Sequence, residues 1–155
     1  MNPSRRTVLA LAFAALPLAA CGGRPERGTT QRGMHAGETP QMHGLVQKYA
    51  AIHDVPESLL HRVILRESGY NAAARNGPYY GLMQILPQTA RTMGYDGPDE
   101  GLLDPETNLI FGGRYLRGAW LVSGGDADEA VGWYARGYYY EAKRKGLLDE
   151  TGLRG

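Results

Sequence analysis

From Leu59 the chain places apolar residues at positions 59, 60, 63 and 64, a spacing that puts them on one face of an α-helix. The next position on that stripe is Glu67, four residues beyond Val63 and three beyond Ile64. Leu45, Val46, Tyr49 and Ile52 repeat the spacing upstream, in a helix expected within His43–Val55. Downstream, Leu109, Gly113, Leu116 and Trp120 form a third stripe, whose glycine permits close packing. Punctuation supports these elements. Pro56 and Glu57 suit the first turn of the helix that carries Glu67, and Gly69 suits its end. "LPQTARTMG" from Leu86 predicts a short helix, and "DPETNLIFGGRYLRGAWLVSGG" from Asp104 opens on an Asp-Pro cap and closes on two glycines. "DADEAVGWYARGYYYEAKRKG" begins with Asp126 and Glu129 in capping-box spacing and is read as helix through its tyrosines. No run alternates with period two, so the fold class is all-α in a single domain, with a short irregular excursion at "ARNGPYYG".

The first residues do not share this pattern. Arg5 and Arg6 precede an apolar run from Val8 to Leu16 and then "LAAC", Leu18 to Cys21. That order is a secretory signal, with an apolar part too short to span a bilayer stably. "LAAC" resembles the lipobox of bacterial lipoproteins, in which the cysteine is acylated and becomes the first mature residue. Residues 1–20 are therefore expected to be a signal peptide and Cys21 a lipidation site. "SRRTVL" also resembles a twin-arginine export signal, and the export route is left open. Residues 21–42, rich in Gly, Thr, Arg and Pro, bury too little to order themselves and are expected to be a flexible tether. Residues 43–155 remain for the domain. The implied location is periplasmic, lipid-anchored to the cell envelope at the outer membrane. With 17 Lys+Arg against 16 Asp+Glu, nothing points to nucleic acid. The 10 tyrosines crowd into the second half and suit either a core or a polar, ring-shaped ligand.

Glu67 faces the core from the last turn of its helix. Burial and the negative end of the helix dipole both raise a carboxyl's pKa, and a carboxyl protonated near neutral pH can act as a general acid. A helix emerging into solvent at its end would place a glutamate there equally well. The residues that follow separate the two. "ESGYN" at Glu67–Asn71, then "GLMQI", then "P-x-T-A", then "GLLDPETNLIFGGRYL" together resemble the soluble lytic transglycosylase family of peptidoglycan-cleaving enzymes, over roughly residues 45–140.

The resemblance implies a lysozyme-like, mainly helical domain with a saccharide cleft, acting on peptidoglycan glycan strands. By it Glu67 is the single catalytic acid, Ser68 helps to hold the site, and Gly81–Gln84 form the turn opposite, with Met83 lining it and Gln84 offering amide donors and an acceptor. Tyr134 matches the tyrosine before the family's Asn-Ala-Gly, and Asn76 lies where a small polar residue meets substrate. Here the chain departs from the family. It has "YARG" at Tyr134–Gly137, so a methyl replaces the amide, and Tyr138, one turn on if the helix continues, is the candidate to compensate. One carboxylate can suffice because the muramic ring carries an acetamido carbonyl and a C6 hydroxyl that can close onto C1, releasing a 1,6-anhydro sugar. No metal or cofactor is expected, and His35, His43, His53 and His61 are read as solvated or structural. A muramidase on the same fold would need a second carboxylate from among Asp96, Asp99, Glu100, Asp104 and Glu141, and nothing in the spacing selects one. A non-catalytic glycan-binding lipoprotein, or a component that opens gaps for an envelope-spanning secretion apparatus, are the other readings. Cys21→Ser is expected to shift the protein from the membrane to the soluble periplasmic fraction; retention in membranes after a high-salt wash would place the attachment elsewhere.

Overall fold

The computed structural model describes residues 33–153, so the expectations for the signal segment, Cys21 and most of the tether lie outside the described residues. The domain is helical, as the spacing requires. Helix α1 spans Pro40–His53, α2 Glu57–Glu67, α3 Pro87–Thr92, α4 Pro105–Val122, α5 Ala127–Arg136 and α6 Tyr139–Lys145, with a 3-10 helix at Asp99–Leu103. The excursion at "ARNGPYYG" is a two-stranded antiparallel hairpin, β1 Arg75–Asn76 against β2 Tyr79–Tyr80.

Local chemistry sets the helix ends. The Asp104 carboxylate accepts the Thr107 N–H at 2.8 Å and the Asp126 carboxylate accepts that of Glu129 at 2.8 Å, each satisfying a donor that the first turn leaves free. Helix α2 stops where Gly69 and Tyr70 both take left-handed backbone, φ 57° and 67°, which turns the chain away just after Glu67.

Two expectations are corrected here. The tether was expected to run to residue 42, yet Glu38 is buried and α1 already starts at Pro40. Hydrogen bonds to one buried carboxylate hold this arm, and hydropathy cannot show them: Glu38 accepts the His35 backbone N–H at 2.8 Å and bonds the His43 ring at 2.9 Å. The second concerns the last helix, which breaks at Gly137 (φ 84°, ψ 150°) into α5 and α6. Tyr138 therefore does not sit one turn beyond Tyr134. It turns into the core at 1% exposure, and its hydroxyl donates to the Tyr115 carbonyl at 2.8 Å.

Helix α4 is the element against which α1, α3, α5 and α6 all pack. Its glycines make room for that. A Cβ at Gly118 would lie 2.2 Å from the Tyr138 hydroxyl oxygen. The main core gathers Val46, Leu59, Leu60, Val63, Ile64, Leu82, Leu109 and Leu116, and a smaller one gathers Tyr80, Ile85, Ala90, Tyr95 and Leu102. Asn108, fully buried on α4, joins them. Its amide oxygen accepts the Met83 N–H at 2.9 Å, and its amide nitrogen donates to the carbonyls of Tyr80 at 2.9 Å and Leu102 at 2.8 Å.

Asn108→Ala would strand two buried backbone groups, the Met83 N–H and the Leu102 carbonyl, at about 1–3 kcal/mol each before relaxation, while the Tyr80 carbonyl keeps the Ile85 N–H at 3.1 Å. A loss of about 3 kcal/mol or more is expected in urea unfolding, with Asn108→Asp recovering only part of it because a carboxylate cannot donate. Tyr138→Phe removes one bond and should cost about 1 kcal/mol by the same measurement.

Candidate active site

Glu67 is the last residue of α2, and its side chain is 24% exposed. No protein group hydrogen-bonds its carboxyl among the described residues; the nearest cation is Arg66, whose Nε lies 3.6 Å away. Burial pushes the carboxyl above the ordinary glutamate range, and the Arg66 charge only partly opposes this. A carboxyl whose protonated form is favoured by burial thus lines the open space of a cleft.

Across from it stands the turn Gly81–Gln84. Its backbone needs left-handed φ at Gly81 (73°) and at Gln84 (48°), and a Cβ at Gly81 would lie 2.4 Å from both the Asn108 amide nitrogen and the Leu102 carbonyl oxygen. Only glycine tolerates that position. The Met83 backbone is held from two sides: Asn108 of α4 accepts its N–H, and the Tyr134 hydroxyl of α5 donates to its carbonyl at 2.8 Å. Burial holds the Tyr134 phenol well above its usual range, and the charge of Glu67 adds to the effect. Tyr134 is therefore a neutral donor that holds the turn.

Two cavities open between these elements. One of about 310 Å³ is lined by Arg66, Glu67, Asn76, Tyr79, Gln84, Tyr134 and Ala135. The other, about 240 Å³, shares Tyr79, Gln84, Tyr134 and Ala135 and continues past Ile85, Leu86, Thr89 and Tyr115 to Arg136 and Gly137. Together they make one cleft, where the two cores meet. Among the described residues Glu67 is the only carboxylate lining it. Of the other acids weighed as a second carboxylate, Asp99 pairs with Arg91, Asp104 caps α4 and Glu141 pairs with Arg144.

The structure therefore brings Glu67, Asn76, Gln84 and Tyr134 together, and leaves Ser68, Met83 and Tyr138 out of the cleft lining. Ser68 turns its hydroxyl to the Ile64 carbonyl at 3.4 Å. The Met83 side chain is fully buried and packs toward Gly112, because its backbone is clamped with the side chain facing the core. Tyr138 is a core residue, as described above. The expectation for Gln84 also changes: its amide nitrogen is spent on the carbonyls of Ala74 at 3.1 Å and Gly81 at 2.9 Å, leaving only the oxygen for a ligand. Ala135 lines the cleft, so the departure at "YARG" puts a methyl there. Two residues were missed. Tyr79 lines both cavities, and the signal was the period-two pair Tyr79–Tyr80, which sends one ring inward and one outward. Asn108 was signalled by its place on the α4 stripe, four residues before Gly112 and eight before Leu116, where a polar residue must be satisfied.

Among the described residues, no histidine lines the cleft. Elsewhere in the domain three of the histidines read as solvated or structural gather: ligand atoms of His35, Glu38 and His61 lie within 4.8 Å of one another, as do those of His43, Glu57 and His61. Among the described residues no helix is long and apolar enough to cross a membrane.

Comparison with known proteins follows the same residues. A family model described as "Transglycosylase SLT domain" matches residues 44–147. The chain is 37% identical over 91 residues to a peptidoglycan transglycosylase, gp16 of Escherichia phage T7, across 56% of this chain and 7% of that protein. It is 35% identical over 81 residues to the soluble lytic murein transglycosylase of Escherichia coli (strain K12), across 47% of this chain and 12% of that protein. The chain thus matches only a small part of either relative's length. A Glu67-bearing helix end facing a clamped Gly-Leu-Met-Gln turn, within the span that the family model covers, makes this chain a member of the SLT transglycosylase domain family.

Proposed function

We propose that the domain is a peptidoglycan lytic transglycosylase that cleaves the MurNAc–GlcNAc β-1,4 bond with Glu67 as its only catalytic carboxyl. The observation that carries this reading is that Glu67 alone among carboxylates lines the cleft, and that burial favours its protonated form. The relatives' names point to the same substrate.

The chemistry follows from that single group. Glu67 gives its proton to the glycosidic oxygen as the bond to C1 breaks. The substrate's acetamido carbonyl bonds to C1 and takes up the positive charge that a second enzyme carboxylate would otherwise meet. The Glu67 carboxylate, now basic, takes the C6 hydroxyl proton as O6 closes onto C1 and the acetamido oxygen leaves. The acid is regenerated, no water is consumed, and the product is a 1,6-anhydro muramic end. Tyr134 stays neutral throughout and holds the Met83 carbonyl, while the Gln84 oxygen is available to an N–H or hydroxyl of a sugar. The same reading takes residues 1–20 as a signal peptide and Cys21 as the lipid anchor that keeps the enzyme beside its polymer.

Glu67→Gln keeps the shape and loses the proton. Loss of a general acid costs about 10²–10⁴-fold in rate, and here both steps use the same group, so cleavage of purified peptidoglycan should fall at least that far while the circular dichroism spectrum is unchanged. Near-normal turnover by the folded variant would sink the assignment. The raised pKa has a second consequence. Folded Glu67 binds its proton more tightly than the unfolded chain does, so its contribution to stability is full below the ordinary carboxylate range and is lost as pH rises through the raised value. Glu67→Gln should therefore gain thermal stability relative to the parent at neutral and higher pH, the two converging in acid.

Product analysis decides the reaction class. Muramic ends released in ¹⁸O-labelled water should be anhydro forms without label; reducing ends carrying ¹⁸O would mean hydrolysis.

A further inference from the structure

Three of the chain's four histidines meet around one carboxylate on the face of α2 that carries His61, and none of them lines the cleft. Glu38 has a fully buried side chain, with its Oε1 2.9 Å from His43 Nδ1 and 3.6 Å from His61 Nδ1. Its other oxygen is fixed by the His35 backbone N–H. The His35 and His61 ring centroids are 4.9 Å apart, and the Tyr70 hydroxyl lies 2.6 Å from His61 Nδ1. We propose that His35, Glu38 and His61 form a binding site for a divalent ion of the zinc type, which ties the N-terminal arm to α2.

The donor set is two imidazole nitrogens and one carboxylate oxygen, which suits zinc and its borderline neighbours better than calcium or magnesium. Tetrahedral coordination with Zn–N and Zn–O bonds near 2.0–2.1 Å sets donors roughly 3.3 Å apart. Glu38 Oε1 and His61 Nδ1 are already 3.6 Å apart and the ligand atoms of the trio lie within 4.8 Å of one another; coordination requires His35 to draw closer and His61 Nδ1 to exchange its 2.6 Å bond to the Tyr70 hydroxyl for the ion. His43 then serves from outside, orienting the carboxylate by its hydrogen bond, as supporting groups do around bound metals. Glu57 and His43 form a second trio with His61, but the Glu57 side chain is 42% exposed, and the His61 nitrogen that faces Glu57 is not the one that faces Glu38. The trio with two buried members, Glu38 and His61, is therefore the site. Its position matters. A Cβ at Gly37 would lie 2.6 Å from the Gly69 carbonyl oxygen, so the arm rests directly on the turn that follows Glu67. Ion binding would fasten the membrane-proximal end of the domain to the helix that presents Glu67, without touching the chemistry.

The test is direct metal binding, independent of glycan cleavage. The full chain, in a Cys21→Ser background so that no thiolate competes, is stripped with chelator and titrated with Zn²⁺ by calorimetry and with Co²⁺ by visible absorption. The proposal expects one ion per chain with a Kd of about 10 μM or tighter, the intense absorption of tetrahedral Co²⁺, and a rise in thermal midpoint with Zn²⁺. His35→Ala, on the partly exposed arm, keeps the fold and should weaken binding by about 100-fold or more, the upper end of what losing even a supporting group costs. Glu38→Gln should do the same, whereas Glu57→Gln should leave affinity unchanged. Binding weaker than about 10 μM in the parent, or equal affinity in the parent and His35→Ala, would overturn the site.

Discussion

Everything that faces Glu67 depends on how the backbone of Met83 is held. Its N–H goes to Asn108 on α4 and its carbonyl to Tyr134 on α5, so two helices fix one residue of a turn that has almost no regular structure of its own. The turn includes left-handed backbone at Gly81 and at the non-glycine Gln84, conformations that persist only when the surroundings over-determine them. Asn108 supplies that determination by spending its whole amide on three backbone groups, in a core where each unpaired group would be costly. The rigid wall of the cleft is thus a hydrogen-bonded peptide, and the helices are its scaffold.

The other wall is made by ending a helix early. Val63 and Ile64 bury one face of α2 completely, and Glu67 continues that face into the cleft before Gly69 and Tyr70 reverse the chain. A helix one turn longer would carry the carboxyl on the same stripe but cover it with its own continuation. Stopping at Glu67 leaves the group half-buried, with no donor to stabilise its charge, and that environment favours the proton. The position of the carboxyl and its raised pKa have one cause.

Much of this was legible in the residues, and the failures share a reason. Helical spacing, the Asp104 and Asp126 caps, and the face occupied by Glu67 all follow from local rules. The hairpin announced itself only as a stretch without a helical pattern, because two-residue strands are too short to show alternation. Tyr138 was misplaced because a glycine inside a helical pattern can continue or break it, and the choice at Gly137 is made by the pocket that Gly118 opens for the tyrosine ring. His35 and Glu38 were read as tether because their ordering comes from contacts that converge from positions 35, 38, 43 and 61. Met83 was read as a lining residue from its neighbours in the motif. Which atoms of a turn face a ligand is set by long-range bonds that no short window contains.

The contents of the cleft bear on the chemistry proposed for Glu67. Opposite Glu67 there is no anion to meet a developing cation; there are the Gln84 oxygen, the tyrosines and the methyl of Ala135. Arg66 and Arg136 are the charged groups besides Glu67 along the lining, and both are positive, which would oppose a free cation at C1. A mechanism that leaves positive charge on the sugar would be poorly served by such a wall. One in which the substrate's own carbonyl collapses onto C1 needs less from it, because the charge spreads into the acetamido group as it forms. What the wall must then do is keep geometry: hold the ring so that its acetamide and C6 hydroxyl reach C1 in turn, within range of one carboxyl. A peptide clamped from two helices is suited to that task, and it makes rigidity rather than added charge the contribution of this side of the cleft.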